Sequence, residues 1–267
     1  MKIVSSEIFV LADPPPGPDE AVYQLPSPGA WPPRIRELAC LRIHTDAGLS
    51  GLSEIFSVPA GVAKTVLDGP ESFLGRYLVG EDPIPPDRLW KRLYNTVLHS
   101  NRRGWQMICI GAVDVALWDI LGKALNRPVW QLLGGAEQAS HQVQEATKGA
   151  RSVIPYCTIV SGAWDCETVL RQQIERLEHL KALGFRGMKI EPMRSSRETI
   201  VELTSRAREV LGSSGILCID VGMMWNDTGA ALDVLDRVKE HDIYFFETPF
   251  PTDSVEAYRR LTSRAPI

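Results

Sequence analysis

From residue 153 onward the chain repeats one rhythm, a short apolar run followed by a longer segment of helical character. The runs are VIPYCTIV (153–160), GMKIEP (187–192), GILCID (215–220) and IYFFETP (243–249), and their starts lie 34, 28 and 28 residues apart. Between them stand segments such as CETVLRQQIERLEHLKALG and SSRETIVELTSRAREVLG. Strand, helix, strand at this spacing predicts consecutive βα units and a parallel sheet. Four such units make half of an eight-stranded βα barrel. The competing arrangement, an open doubly wound sheet, lacks a glycine-rich phosphate loop after its first strand.

The preceding part has another pattern. Residues 2–12 and LACLRIHTDAGLSGLSEIF (38–56) have strand-like composition, with DAGLSG supplying hairpin turn chemistry. Between them, DPPPGPDEAVYQLPSPGAWPP (13–33) is too rich in Pro and Gly to continue helix or sheet. It reads as a long loop, either a lid over a site or a plain surface excursion. From about residue 60 to 134 the pattern turns helical. Val113, Leu117, Ile120, Leu121 and Ala124 recur at helical spacing, Pro128 interrupts, and Gly134-Gly135 closes the segment. Asp114 and Asp119 sit in this helix, where a solvated or capping role is the expectation. The fold class is therefore α/β: an α+β module over 1–135, a polar linker near 136–152, and a partial (β/α) barrel over 152–267.

Composition narrows the partners. The 267 residues are 44% apolar and 23% charged, an ordinary globular balance with ample material for a core. The net charge is −4 and no Lys/Arg run forms a basic patch, which argues against nucleic acid and anionic membrane surfaces and for a small molecule. After Glu7 only the apolar residues 8–12 follow in a row, short of a signal-peptide core of roughly 7–15. No run approaches the ~20 residues of a membrane span. Cys40, Cys109, Cys157, Cys166 and Cys218 are scattered without a C-x-x-C pair, which suits reduced thiols in a cytoplasm and small buried side chains.

Three apolar runs end in charge: Lys189 with Glu191, then Asp220, then Glu247. In parallel βα architectures the carboxyl ends of the strands line the functional face. Period-2 alternation puts Lys189 and Glu191 on one face of their strand, Cys218 and Asp220 on one face of the next, and Phe245 and Glu247 on one face of the last. Two carboxylates on adjacent strands in a low-dielectric mouth repel unless a cation sits between them. A hard divalent ion is the simplest resolution, and all-oxygen ligation favours Mg²⁺. For each carboxylate alone, a helix N-cap or a salt bridge is the alternative.

At these residues the sequence resembles the mandelate racemase/muconate lactonizing enzyme family of the enolase superfamily. AVDVALWDILGKALNRPVWQLLGG is similar to the segment closing the family's capping domain, and GFRGMKIEP to the second-strand segment that usually carries Lys-x-Lys. CIDVGMMW resembles the third-strand segment, which makes Asp220 the first metal ligand and matches Trp225 to a common tryptophan. FFETP matches the fourth strand, with Glu247 as second ligand. The resemblance implies a Mg²⁺-dependent enzyme in which the metal binds a substrate carboxylate, a base removes the α-proton and an enediolate-like intermediate forms. It also implies a small-molecule carboxylate substrate such as an acid sugar, and a homo-oligomer when full length.

Three departures qualify it. Glu191 replaces the second lysine, commonly the base, leaving three roles open for Glu191: substrate contact, base, or structural ion pair. Lys189 is expected to stabilise the bound carboxylate, with a buried structural pair as the alternative. Gly222 stands where the family often has Asn. The chain stops at RAPI, before the third metal ligand and the later strands of the family pattern. Loss of the strand-two lysine tilts the expected chemistry toward an acid-sugar dehydratase with its base in the later strands. Racemase or cycloisomerase chemistry, and a non-catalytic truncated fragment, are the alternatives.

Overall fold

The computed structural model describes residues 1–12, 37–99, 103–134, 154–161, 163 and 165–265. The Pro-rich loop 13–33 and the linker 136–152 lie outside the described residues. Those described up to Gly134 belong to one compact unit, and those from Ile154 onward to a second.

In the first unit, β1 (Ile3–Ala12), β2 (Glu37–Thr45) and β3 (Ser50–Ile55) form an antiparallel sheet in the order β1-β2-β3. The DAGLSG turn closes β2 onto β3: the Thr45 N–H donates to the Leu49 carbonyl at 3.0 Å, and Gly48 takes φ +76°. Among the described residues the α-helices α1 (Ala60–Leu67), α2 (Pro86–Val97), α3 (Trp105–Leu125) and the single turn α4 (Val129–Leu132) follow. α3 packs on β3 so closely that a Cβ at Gly51 would stand 2.0 Å from the Ala116 carbonyl oxygen, so only glycine fits there.

Val113, Leu117 and Ile120 of α3 are buried as their spacing predicts. Leu121 is only half-buried and Ala124 is exposed, because the last turn, ended by Asn126 at φ 50°, carries little of the stripe into the core. Asp119 is no cap: its Oδ2 accepts from the Leu52 N–H at 3.0 Å and from Lys123 Nζ at 2.6 Å, and so ties α3 to strand β3.

The second unit alternates strictly. β4 (Tyr156–Val160), α5 (Cys166–Ala182), β5 (Gly187–Glu191), α6 (Arg197–Leu211), β6 (Ile216–Asp220), α7 (Thr228–Val238), β7 (Ile243–Glu247) and α8 (Val255–Thr262) follow one another. The strands form a parallel sheet in the order β4-β5-β6-β7. Helix starts are fixed by side-chain caps: Asp165 accepts from the Thr168 N–H, Ser196 from that of Thr199, and Asp227 from those of Gly229 and Ala230. Ile159, Met188, Ile190, Leu217 and Ile219 share a core with side chains of α5, α6 and α7. The fold is thus α/β, an antiparallel α+β unit followed by a partial (β/α) barrel.

All five cysteines are free. Cys40, Cys109 and Cys218 are buried as expected, but Cys157 and Cys166 are only half-buried, since β4 lies at the sheet's edge and Cys166 opens α5.

Candidate functional site

Strand register arranges the inward side chains of the second unit in layers. Thr158 pairs with Lys189, Lys189 with Cys218, and Cys218 with Phe245. One layer nearer the carboxyl ends, Val160 pairs with Glu191 and Asp220 with Glu247. Because Ile190 pairs with Ile219, Glu191 stands beside Asp220, so three consecutive strands each place one carboxylate in the same layer.

Lys189 reaches up into that layer from the one below. Its Nζ lies 2.8 Å from Glu247 Oε2, 3.1 Å from Asp220 Oδ2 and 3.7 Å from Glu191 Oε1. The Lys189 and Glu191 side chains are each 10% exposed, Asp220 16% and Glu247 39%, so the cluster opens to solvent on the Glu247 side. All four residues singled out from the sequence meet at one point. The cation that the sequence calls for between Asp220 and Glu247 is, in this structure, the Lys189 ammonium: its four-carbon stem spans the one-layer step that period-2 alternation alone does not reveal.

The local backbone is held for this purpose. Gln173 of α5, fully buried, donates from its amide to the Glu191 carbonyl at 2.8 Å and accepts from the Glu191 N–H at 3.0 Å. This clamp is invisible to strand reasoning. Its signal is a polar residue at a core position, since Leu170, Gln173 and Leu177 follow helical spacing on one stripe. Beyond β6, the Gly222 N–H donates to Asp220 Oδ1 at 3.0 Å, which leaves Oδ2 for Lys189. Gly222 has φ +57°, in the left-handed region that favours glycine, and a Cβ there would displace the flexible, exposed Met193 side chain. Trp225 stacks on Phe246 with centroids 6.1 Å apart and planes 3° from parallel.

Below the acidic layer, Tyr156 stands opposite Gly187 and meets Phe245 edge-on at 5.8 Å. The Lys189 ammonium is 5.9 Å from the Tyr156 ring centroid, within cation–π range. A Cβ on Gly187 would stand 2.9 Å from Tyr156 Cβ.

Electrostatically the cluster carries excess negative charge. Burial works against the Lys189 ammonium, yet hydrogen bonds and charge from Glu247 and Asp220 outweigh it and raise its pKa, so Lys189 is a firm cation at neutral pH. Burial, reinforced by the Asp220 charge, raises the Glu191 pKa, and Lys189 only partly offsets this.

The donor chemistry suits a hard divalent cation, being carboxylate oxygen throughout. The spacing is that of an ammonium-filled centre: among the described residues no group of three Asp, Glu, His or Cys side chains is set at metal-ligand geometry. No helix among them is long and apolar enough to cross a membrane.

Comparison with known proteins matches each of the two units to a domain family. The profile of the mandelate racemase/muconate lactonizing enzyme N-terminal domain matches residues 34–134, and that of the enolase C-terminal domain-like family matches residues 170–267. Arabinonate dehydratase of Saccharolobus solfataricus is 29% identical over 235 residues, covering 86% of this chain and 57% of its own length. A 3,6-anhydro-α-L-galactonate cycloisomerase of Streptomyces coelicolor is 26% identical over 225 residues, covering 84% of this chain and 57% of its own length. The crystal structure of a Streptomyces coelicolor A3(2) racemase with bound magnesium superposes with a TM-score of 0.78 at 22% identity, over 99% of this chain and 67% of that one. The chain thus spans little more than half the length of these curated relatives. With both domain profiles matched in order along one chain, the protein belongs to the mandelate racemase/muconate lactonizing enzyme family of the enolase superfamily.

Proposed function

We propose that this chain is the metal- and acid-binding part of a Mg²⁺-dependent acid-sugar dehydratase. The observation that carries the reading is the convergence of Asp220, Glu247 and Glu191 around Lys189 at the carboxyl ends of adjacent parallel strands. Asp220 and Glu247 would hold the metal, which when bound supplies positive charge against the negative charge that develops next to a substrate carboxylate. Lys189, kept cationic by its acidic neighbours, adds a second fixed positive charge for the same acid group. Gln173 and the Gly222 N–H fix the Glu191 backbone and the Asp220 carboxylate in place. In the dehydration, the α-carbon loses its proton to a base and the β-carbon loses hydroxide, which leaves as water. The resulting enol becomes a 2-keto-3-deoxy acid.

The similarity to arabinonate dehydratase favours this outcome. A cycloisomerase of a related acid sugar is the second reading, favoured by the Streptomyces coelicolor relative. The test incubates the full-length protein with Mg²⁺ and a panel of acid sugars, assaying for 2-keto acid and, by NMR, for isomerised product. Dehydration of at least one acid, lost with EDTA and in Asp220→Asn, is expected. Isomerisation without water loss selects the second reading. No conversion of any acid, together with no Mg²⁺ uptake by calorimetry, ends both.

A further inference from the structure

We propose that the second unit carries a binding site for a phosphate group at the amino-terminal ends of β5 and β6, the end of the sheet opposite the carboxylate cluster. The site stands independently of the metal-binding reading above.

Two helix-to-strand turns meet there. LGFRG (183–187) leads α5 into β5 and LGSSG (211–215) leads α6 into β6, and because Gly187 pairs with Ile216 in the parallel register the turns lie side by side. The Ile216 N–H joins them by donating to the Arg186 carbonyl at 2.8 Å. Between them is a cavity of about 200 Å³ whose lining includes Lys181, Phe185, Arg186, Leu211, Ser214 and Gly215 and no acidic residue. Sites for whole small molecules run to roughly 300–1,000 Å³, so this space suits a single charged group. Lys181, Arg186 and Ser214 are exposed, which leaves the cavity open to solvent.

The positive charge gathered here has no carboxylate against it. Lys181 donates to the Val210 carbonyl, and Arg208 spends its guanidinium on the carbonyls of Gly212, Gly215, His241 and Asp242 at 2.7 to 2.8 Å. Arg186 and the Ser214 hydroxyl have no hydrogen-bond or ion-pair partner among the described residues. By contrast, Arg171, Arg197, Arg206 and Arg259 of the same unit each hold a carboxylate. Lys181 and Arg208 sit in the last turns of α5 and α6, where each helix end carries roughly half a negative charge. Those two ends offset about one of the three positive charges, so about two remain at the turns. A phosphate group, at about −1.5 to −2 near neutral pH, matches that excess better than a single carboxylate. Its oxygens would take the free planar guanidinium of Arg186 as a two-pronged donor, with the Ser214 hydroxyl and the Lys181 ammonium completing the set.

Calorimetric titration of the purified chain with inorganic phosphate at low ionic strength, and in a parallel arm with glycerol 1-phosphate, tests this. Saturable binding is expected, weakened roughly 10-fold or more by Arg186→Gln and a few-fold by Ser214→Ala. Arg197→Gln removes the same charge at the opposite end of α6, where its guanidinium pairs with Asp233, and should leave binding unchanged. Neither Arg186 nor Ser214 makes a side-chain contact that the fold uses, so a loss in these variants reports on the ligand. Tighter binding of glycerol 1-phosphate assigns the site to a phosphate ester, and equal or weaker binding to the free ion; either result upholds it. No saturable binding of either probe, or a loss in Arg186→Gln no larger than that in Arg197→Gln, would overturn the proposal and leave the carboxylate cluster and its reading untouched.

Discussion

Among single residues, Cys166 stands apart from the other thiols. The Thr199 hydroxyl, and next the Ser196 backbone, hydrogen-bond to its sulfur and lower its pKa, while burial raises those of Cys40, Cys109 and Cys218. With limiting iodoacetamide near pH 7.5, peptide mass mapping should find Cys166 modified before those three, and Thr199→Val should slow it by a few-fold. Equal labelling of all four would refute this. Such a contact joins residues more than thirty apart on two helix starts, and nothing in the local sequence announces it. The acidic cluster was more legible. Charges closing apolar runs mark Lys189, Glu191, Asp220 and Glu247, and alternation assigns their faces. Side-chain reach decided what alternation left open, because a lysine one layer down fills the space between two carboxylates.

For elements, the spacing of apolar runs located the four parallel strands and their helices because each strand is buried on its helix-facing side and bounded by a cap or a glycine. The end of β5 depends on something less visible, the amide of Gln173 standing in for a peptide group. Gln173→Leu keeps the volume and the apolar stripe of α5 but leaves the Glu191 N–H and carbonyl without these partners. The expected cost is roughly 2 to 3 kcal/mol in urea unfolding of the second unit, since buried backbone groups lose their hydrogen bonds. A variant as stable as the parent would show that water or a neighbouring group replaces the clamp. α3 illustrates the converse: its helical period is plain in the sequence, but its close seat on β3 is set by Gly51, a residue in another element.

At the scale of the whole molecule, the described residues of the first unit share a core around β1 to α3, and the second unit has its own around β4 to β7, with a smaller cluster of Ala231, Leu235, Phe250 and Leu261 beside it. Their responses to pH are therefore open to separate measurement. Cys109, fully buried in the first core, has its thiol pushed up by burial to about 11, from 9.0 for a free thiol. A folded-state pKa above the unfolded one means that the unfolded chain releases its proton first as pH rises. The thiol's contribution is therefore intact below pH 9.0 and is lost progressively as pH climbs toward about 11. At about pH 10.5 the loss amounts to roughly 2 kcal/mol from this group. Tryptophan fluorescence follows urea unfolding of the chain, and comparison with Cys109→Ala isolates the contribution of the first unit, where Cys109 lies. Urea unfolding at pH 8 and about 10.5 should show the wild-type midpoint falling further than that of Cys109→Ala, which is less stable at pH 8 from lost packing but lacks the ionisable group. Lysine and tyrosine titration is common to both proteins and cancels in the comparison. Parallel pH slopes for the two would mean that the Cys109 thiolate is accommodated in the folded first unit as readily as in the unfolded chain.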